Sequence, residues 1–289
     1  MTTTEQSQPR RELRELRTLY ILNPHFRDII VEGRDDAAWI NWYISEHRIP
    51  NARVYAVDDR AVVPGEVVKL FHPEINARGR VVALANEFSN WNIPSPSLTA
   101  IIDADFDLLE PTEYPSSLLT TDYAAMEVYA LEQRPLSKFL LISAKANVDA
   151  STLTSLLKPA WAAMYALRYV IHRHHEGARL ANKWAEKCVD NAGQIIVDVR
   201  ELLRTVTPTP GKEFFDDLLG MHEHYLSKIP DSTLDGIRGH DIAPLIIRFL
   251  GFKNEFADIK YVERLLRQSL ELRDLEEHDM FTNLRQRLS

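Results

Sequence analysis

The sequence contains one cysteine, Cys188, in 289 residues. No internal disulfide can form, and no zinc site built on several thiolates is possible. This fits a reducing compartment, and the cytoplasm is the expectation. No stretch approaches the roughly 18 consecutive apolar residues of a membrane-spanning helix. The segment 1–17 is polar and charged and has no apolar core of a signal peptide. There is no phosphate-binding loop of the Walker type and no Gly-x-Gly-x-x-Gly turn, which excludes ATP hydrolysis by a Walker mechanism. A Gly-x-Ser-x-Gly elbow and a Cys/His hydrolase pattern are missing as well. The chain shows no internal repeat and no low-complexity tract. It also lacks an excess of basic residues: 34 Lys and Arg face 42 Asp and Glu, a formal net charge of −8. That argues against a surface coated for indiscriminate nucleic-acid binding, so a polyanionic substrate would need a local basic path. The remaining composition, 45% hydrophobic and 26% charged, is that of an ordinary globular protein.

Two apolar runs end abruptly in carboxylates. Ile29-Ile30-Val31 leads into Glu32-Gly33-Arg34-Asp35-Asp36, and Leu98 to Ile102 leads into Asp103-Ala104-Asp105-Phe106-Asp107. Short Ile- and Val-rich runs bounded by Gly or Asp read as buried strands of a parallel sheet. In an open parallel sheet, ligands bind beyond the carboxyl ends of the strands. Carboxylates converging there repel one another unless a cation lies between them. Oxygen ligands without Cys or His suit a hard divalent ion, Mg²⁺ or Mn²⁺. The leading candidates are Glu32, Asp103 and Asp105. Asp103 and Asp105 are two residues apart, a spacing that on a strand directs both side chains to one face. Asp36 can reach back toward Glu32 from a helix start or can cap that helix. Asp107 completes an Asp-x-Asp-x-Asp series.

The Val31-Glu32-Gly33 strand end, followed by a helix and a later strand ending in Asp103-x-Asp105, resembles the toprim signature. Thr121-Asp122-Tyr123-Ala124-Ala125-Met126-Glu127 and Arg238-Gly239-His240-Asp241 sharpen the match. Together they resemble an OLD-like toprim nuclease family, the one that includes AriB, the effector of PARIS-type anti-phage defence. The resemblance covers roughly residues 25–250. It implies a Mg²⁺-dependent endonuclease that hydrolyses phosphodiesters, with Glu32, Asp36, Asp103, Asp105 and Glu127 as metal ligands and His240 at the active site or a dimer contact. It also implies tRNA as the substrate, an AAA/ABC-type ATPase partner that restrains the nuclease, and a homodimer as the active form. The rivals are an OLD-type DNA nuclease or nickase and a non-catalytic toprim docking module. A lysine found in the DNA-cleaving OLD enzymes is not evident here, although Lys138 and Lys145 follow Glu127. The short chain, without a catalytic-tyrosine context or a zinc motif, speaks against a topoisomerase or primase.

The expected architecture is α/β: a toprim-like parallel sheet flanked by helices over residues 1–134, with an N-terminal extension over 1–24, then a mainly helical region over 135–289. The extension is expected to be disordered at 1–9 and helical at 10–20, where Leu13, Leu16 and Tyr20 share a stripe. A strand over 26–31, a helix from 35 or 36 to 47, a strand over 53–57, a helix over 80–91, a Pro94-Ser95-Pro96 turn, a strand over 98–102 and an edge strand over 117–121 follow. Helices are expected over 153–175, 179–188, 196–206, 212–228, 241–250, 259–273 and 275–287. The window 168–187 holds Arg168, His172, Arg173, His174, His175, Arg179, Lys183 and Lys187 against Glu176 and Glu186. Arg168, Arg173, Arg179 and Lys183 are candidate nucleic-acid contacts, with an ordinary solvated helix face as the alternative. No acidic or Cys partner at ligand spacing accompanies the histidines, which argues against a metal site there.

Overall fold

The computed structural model describes residues 10–93, 97–175, 177–181, 183–191 and 193–289. The expected disorder at 1–9, the turn at 94–96 and Glu176 lie outside the described residues. The protein is α/β, with a four-stranded parallel sheet flanked by helices and a helical C-terminal region. The chain groups into two compact units: residues 1–103, 112–122 and 276–289 form the first, and residues 104–111 and 123–275 the second. This grouping does not follow the division at residue 134 expected from the sequence. It separates Asp103 from Ala104, inside the Asp-x-Asp pair.

The first unit begins with β1 (Arg11–Glu12) and α1 (Leu13–Leu22), then β2 (Arg27–Val31), α2 (Arg34–His47), β3 (Ala52–Ala56), α3 (Val57–Arg60) and β4 (Ala61–Val62). It continues through α4 (Gly65–Phe71), α5 (Ala77–Asn90), β5 (Leu98–Ile102) and β6 (Leu118–Thr120). The sheet order is β3-β2-β5-β6, parallel throughout, with Ile29 opposite Thr99 and Ile30 opposite Ala100. β1 and β4 pair separately. Alternation directs Ile30, Leu98, Ala100 and Ile102 into one core with Leu16 and Tyr20 of α1, Val68 of α4 and Val81, Leu84 and Phe88 of α5. Ile29 and Ile101 are equally buried but outside that core. Both faces of the sheet are therefore covered, which is why its strands read as continuous apolar runs.

One buried polar network ties α1 to the sheet. Asp28 on β2 accepts from the Arg60 guanidinium (Nη2 2.6 Å, Nε 3.0 Å) and from the Tyr20 hydroxyl (2.9 Å). Asp28 and Arg60 are 2% and 1% exposed, so neither charge could stand there without the other.

The second unit contains a 3₁₀ turn (Met126–Leu131), α6 (Gln133–Lys138), a π-helical turn (Phe139–Ala144) and the long α7 (Ala150–His174). A second 3₁₀ turn (Trp184–Lys187), the antiparallel hairpin β7 (Val189–Asn191) and β8 (Gln194–Ile196), α8 (Val199–Arg204) and α9 (Lys212–Leu226) follow. α10 (Gly239–Leu250), a 3₁₀ turn (Asn254–Ala257), α11 (Ile259–Ser269) and α12 (Leu272–Leu275) complete it. α7 forms its spine: Leu153, Leu157, Trp161, Met164, Tyr165 and Leu167 are fully buried, and α6, α9 and α10 pack around it. Among the described residues of 179–188 no α-helix forms; the second 3₁₀ turn, Trp184–Lys187, lies there. Arg179 instead exchanges two backbone hydrogen bonds with Thr207, each 3.0 Å, and the chain runs extended there. The hairpin was not anticipated.

The C-terminal helix α13 (Asp279–Leu288) belongs to the first unit, where Phe281 packs on Tyr43 at 4.8 Å between ring centroids. Among the described residues no helix is long and apolar enough to cross a membrane.

Candidate active site carboxylates

In the first unit, β2 runs on to β3 at one side, while β5, on the other side of β2, runs on to β6. The connections diverge between β2 and β5, which makes that gap the topological switch point of the sheet. Glu32 directly follows β2 and Asp103 directly follows β5. Two carboxylates thus flank the crevice where open α/β sheets place their ligands.

Arg78 stands with them. It lies in the first turn of α5, and its Nη1 is 3.6 Å from Glu32 Oε1 and donates a short hydrogen bond to the Asp103 backbone carbonyl. Its Nη2 donates to the Tyr114 hydroxyl at 2.8 Å. The sequence fixes that turn twice. Asn76 caps it by accepting from the Gly79 amide at 2.8 Å. Gly79 is also the residue the site demands, because a Cβ there would lie 2.2 Å from the Glu74 carbonyl oxygen.

Asp36 accepts from the Gly33 amide at 3.0 Å, across the first turn of α2. Of its two expected roles, this contact is the helix-capping one. Asp35 also lies in that first turn.

In the second unit Asp105 does not continue a strand. β5 stops at Ile102, and Asp105 has a φ of 45°, in the left-handed region. The expectation that Asp103 and Asp105 share a strand face is therefore corrected: the alternation ends before either residue. The Asp105 turn is held by its amide donating to the Ala124 carbonyl (3.0 Å) and by the Tyr165 hydroxyl donating to its own carbonyl (2.7 Å). Burial, with the Asp105 charge adding to it, pushes the Tyr165 hydroxyl well above the usual tyrosine range, so it stays a donor. Asp105 Oδ1 accepts from Arg238 at 3.3 Å, and the same guanidinium lies 4.9 Å from the Phe106 ring centroid. Asp107 lies in the turn that follows, its amide donating to the Ala104 carbonyl at 2.8 Å.

Glu127 sits in the first turn of its 3₁₀ helix and accepts from Arg267 of α11 at 2.8 Å. Gly239, at the start of α10, is in contact with it. The Glu127 and Gly-His-Asp segments, far apart in sequence, thus meet within this unit. His240 is exposed. Asp241 is fully buried and accepts from Arg168 through both oxygens, at 2.7 and 2.6 Å.

Arg168 is therefore engaged by a buried carboxylate and is 5.9 Å from the Trp184 ring centroid. Arg173 pairs with Glu110 at 3.3 Å and Lys183 with Glu186 at 3.4 Å, while Arg179 contributes its backbone bridge. The histidines go separate ways. His172 stacks on Phe106, His174 on Tyr225, and the His175 ring nitrogen lies 2.7 Å from the Pro208 carbonyl oxygen.

Sequence reasoning missed the arginines. Glu32, Asp105 and Glu127 each have one, supplied by Arg78, Arg238 and Arg267. Among the described residues no group of three or more His, Cys, Asp or Glu side chains is arranged to hold a metal ion. Mg²⁺ seldom uses such a cage. It takes one or two carboxylates and completes its shell with water and phosphate oxygens. Glu32 and Asp103 match that smaller requirement in donor chemistry.

No protein-family model matches the sequence, and no curated protein matches it either.

Proposed function

We propose that the chain is a Mg²⁺- or Mn²⁺-dependent endonuclease of the toprim type that hydrolyses nucleic-acid phosphodiesters. The observation that carries this reading is the pair Glu32 and Asp103 on either side of the β2–β5 switch point. In this reading Glu32 and Asp103 hold the ion from the first unit, and Glu32 can also accept a proton from the attacking water. A divalent ion held by Glu32 and Asp103 would supply Lewis acidity and positive charge at the phosphodiester oxygens. Arg78 contributes a fixed positive charge beside the pair, of the kind that orients a phosphate. By resemblance, tRNA is the proposed substrate, anti-phage defence the role, and an ATPase the restraining partner of an effector whose active form is a dimer.

A second reading, a non-catalytic docking module, is favoured by one specific observation. Glu32, Asp105 and Glu127 already have arginine partners and so are compensated without a metal.

One assay separates them. Wild type and Glu32→Ala are incubated with Mg²⁺ or Mn²⁺ and, separately, with total tRNA and plasmid DNA, with and without a chelator and the candidate ATPase. Cleavage that disappears in the variant and with chelator supports the nuclease, and the polymer that is cut chooses between RNA and DNA. Intact substrates in every arm support the docking module. The same comparison with Asp105→Asn tests the third expected catalytic carboxylate.

A further inference from the structure

A carboxylate at the switch point of a parallel sheet has few ways to be neutralised. In the first unit it is neutralised from within the chain. Arg78 is 12% exposed and Glu32 25%, so their 3.6 Å contact is shielded from water on most sides. Beyond the Glu32 carboxylate, the Arg78 fork also reaches the Asp103 carbonyl at the end of β5 and the Tyr114 hydroxyl. A residue that served only to balance Glu32 would need none of the other two. The Asn76 cap and the Glu74 carbonyl packed against Gly79 hold the Arg78 backbone in place.

We infer that Arg78 is the resident cation of the switch-point crevice, a positioning residue that holds Glu32 and the end of β5 together and competes with a divalent ion for Glu32. The inference rests on the nuclease reading in taking Glu32 as a metal ligand. It adds that metal entry is opposed by a guanidinium already in contact with the ligand. An ion that binds Glu32 displaces Arg78 from that carboxylate, which leaves the guanidinium beside the crevice and available to a phosphate oxygen. Removing the positive charge should therefore improve metal binding, the opposite of what loss of a structural support would do.

The test uses Mn²⁺ alone as the probe, with bound and free ion counted by electron paramagnetic resonance. Wild type, Arg78→Gln, Arg78→Ala, Arg78→Lys and Glu32→Ala are compared after circular dichroism has confirmed the fold of each. Gln keeps an N–H donor for the Asp103 carbonyl but no charge. Arg78→Gln and Arg78→Ala should bind Mn²⁺ roughly tenfold more tightly than wild type, the order of effect one adjacent opposite charge has on a carboxylate. Arg78→Lys, which keeps the charge, should stay near wild type. Placing Glu32→Ala in the Arg78→Gln background should abolish the gain. Equal or weaker binding by folded Arg78→Gln, with Glu32-dependent binding in wild type, overturns the inference and leaves the metal reading standing. No Glu32-dependent binding in any variant overturns both. Should the variants fail to fold, titrating wild type with Mg²⁺ and following the Arg78 Nε–Hε nuclear magnetic resonance signal decides. The resonance should shift as the ion saturates, and an unmoved signal at saturation overturns the inference.

Discussion

The carboxylate of Glu127 occupies the space where a side chain at position 239 would begin. A Cβ built on Gly239 lies 2.3 Å from Glu127 Oε2, 3.0 Å from its Cδ and 3.2 Å from the Ala125 Cβ. The contact sets the Glu127 Oε2 against the positive N-terminal end of α10, and Arg267 donates to the other oxygen, Oε1, at 2.8 Å. Gly239→Ala must push Glu127 away from that helix end. The carboxylate is the movable end of its side chain but is tied to Arg267, so the expected cost is about 1 kcal/mol, the low end of overpacking, read as a lower urea midpoint with unchanged slope. In a Glu127→Ala background the same change should be neutral or mildly stabilising, because Ala favours helix over Gly. Equal costs in the two backgrounds would dismiss the contact as the reason for the glycine.

The Asp28–Arg60 pair offers a different double substitution. Each partner is almost fully buried, and the Tyr20 hydroxyl also donates to Asp28. Removing one partner strands a charge in the core, which costs about 3–5 kcal/mol. Arg60→Met and Asp28→Leu alone should each fall in that range, whereas the two together should cost clearly less than either. Additive losses in chemical denaturation would refute this account of the pair.

Lys158 predicts a pH dependence. It is buried on α7, with its ammonium donating to the Asp235 carbonyl. Burial lowers its pKa from the ordinary 10.5 to about 8, with Asp235 and Asp231 opposing that shift. Between those values the unfolded chain binds more protons at this lysine than the folded one, so the lysine makes stability rise with pH across the window. Below about pH 8 both states are protonated and the cost of burying the charge is felt in full. Relative to Lys158→Met, wild type should therefore gain on the order of 2–3 kcal/mol between pH 8 and pH 10.5. A pH-independent difference between the two proteins would count against a buried, titrating amine.

The parts of the fold that were legible are those whose burial leaves a periodic mark. The strand at 98–102 occurs as expected, and β6 and α2 lie within a residue or two of their expected bounds, because both faces of the sheet are dry and its helices carry apolar stripes. Glu32 and Asp103 were legible for the same reason, as the first polar residues after such runs. The Asp105 turn was not: a left-handed backbone at a non-glycine residue leaves no compositional trace. Nor were the arginines. Arg238 lies 133 positions from Asp105, and Arg267 lies 140 from Glu127. No spacing rule connects charges across such distances. Gly65–Phe71 was not anticipated; it opens at Pro64, whose carbonyl accepts from the Val67 and Val68 amides. Where a helix over 179–188 was expected, the described residues hold the Arg179 backbone bridge to Thr207 and a 3₁₀ turn at Trp184–Lys187.

The return of α13 to the first unit bears on the order of events at the ribosome. Tyr43 stacks on Phe281, Asp122 accepts from the Met280 amide, and Glu276 lies 3.5 Å from His47. Domains generally fold as they emerge, N-terminal parts first. Here the strands that lead to Glu32 and Asp103 are made long before the helix that packs on Tyr43, so that contact forms only after residues 276–289 have been synthesised. A nascent chain that stops before Glu276 already has all four strands of the sheet but lacks the ring that covers Tyr43, so the packing of α2 waits on a segment made more than a hundred residues after the strands it completes.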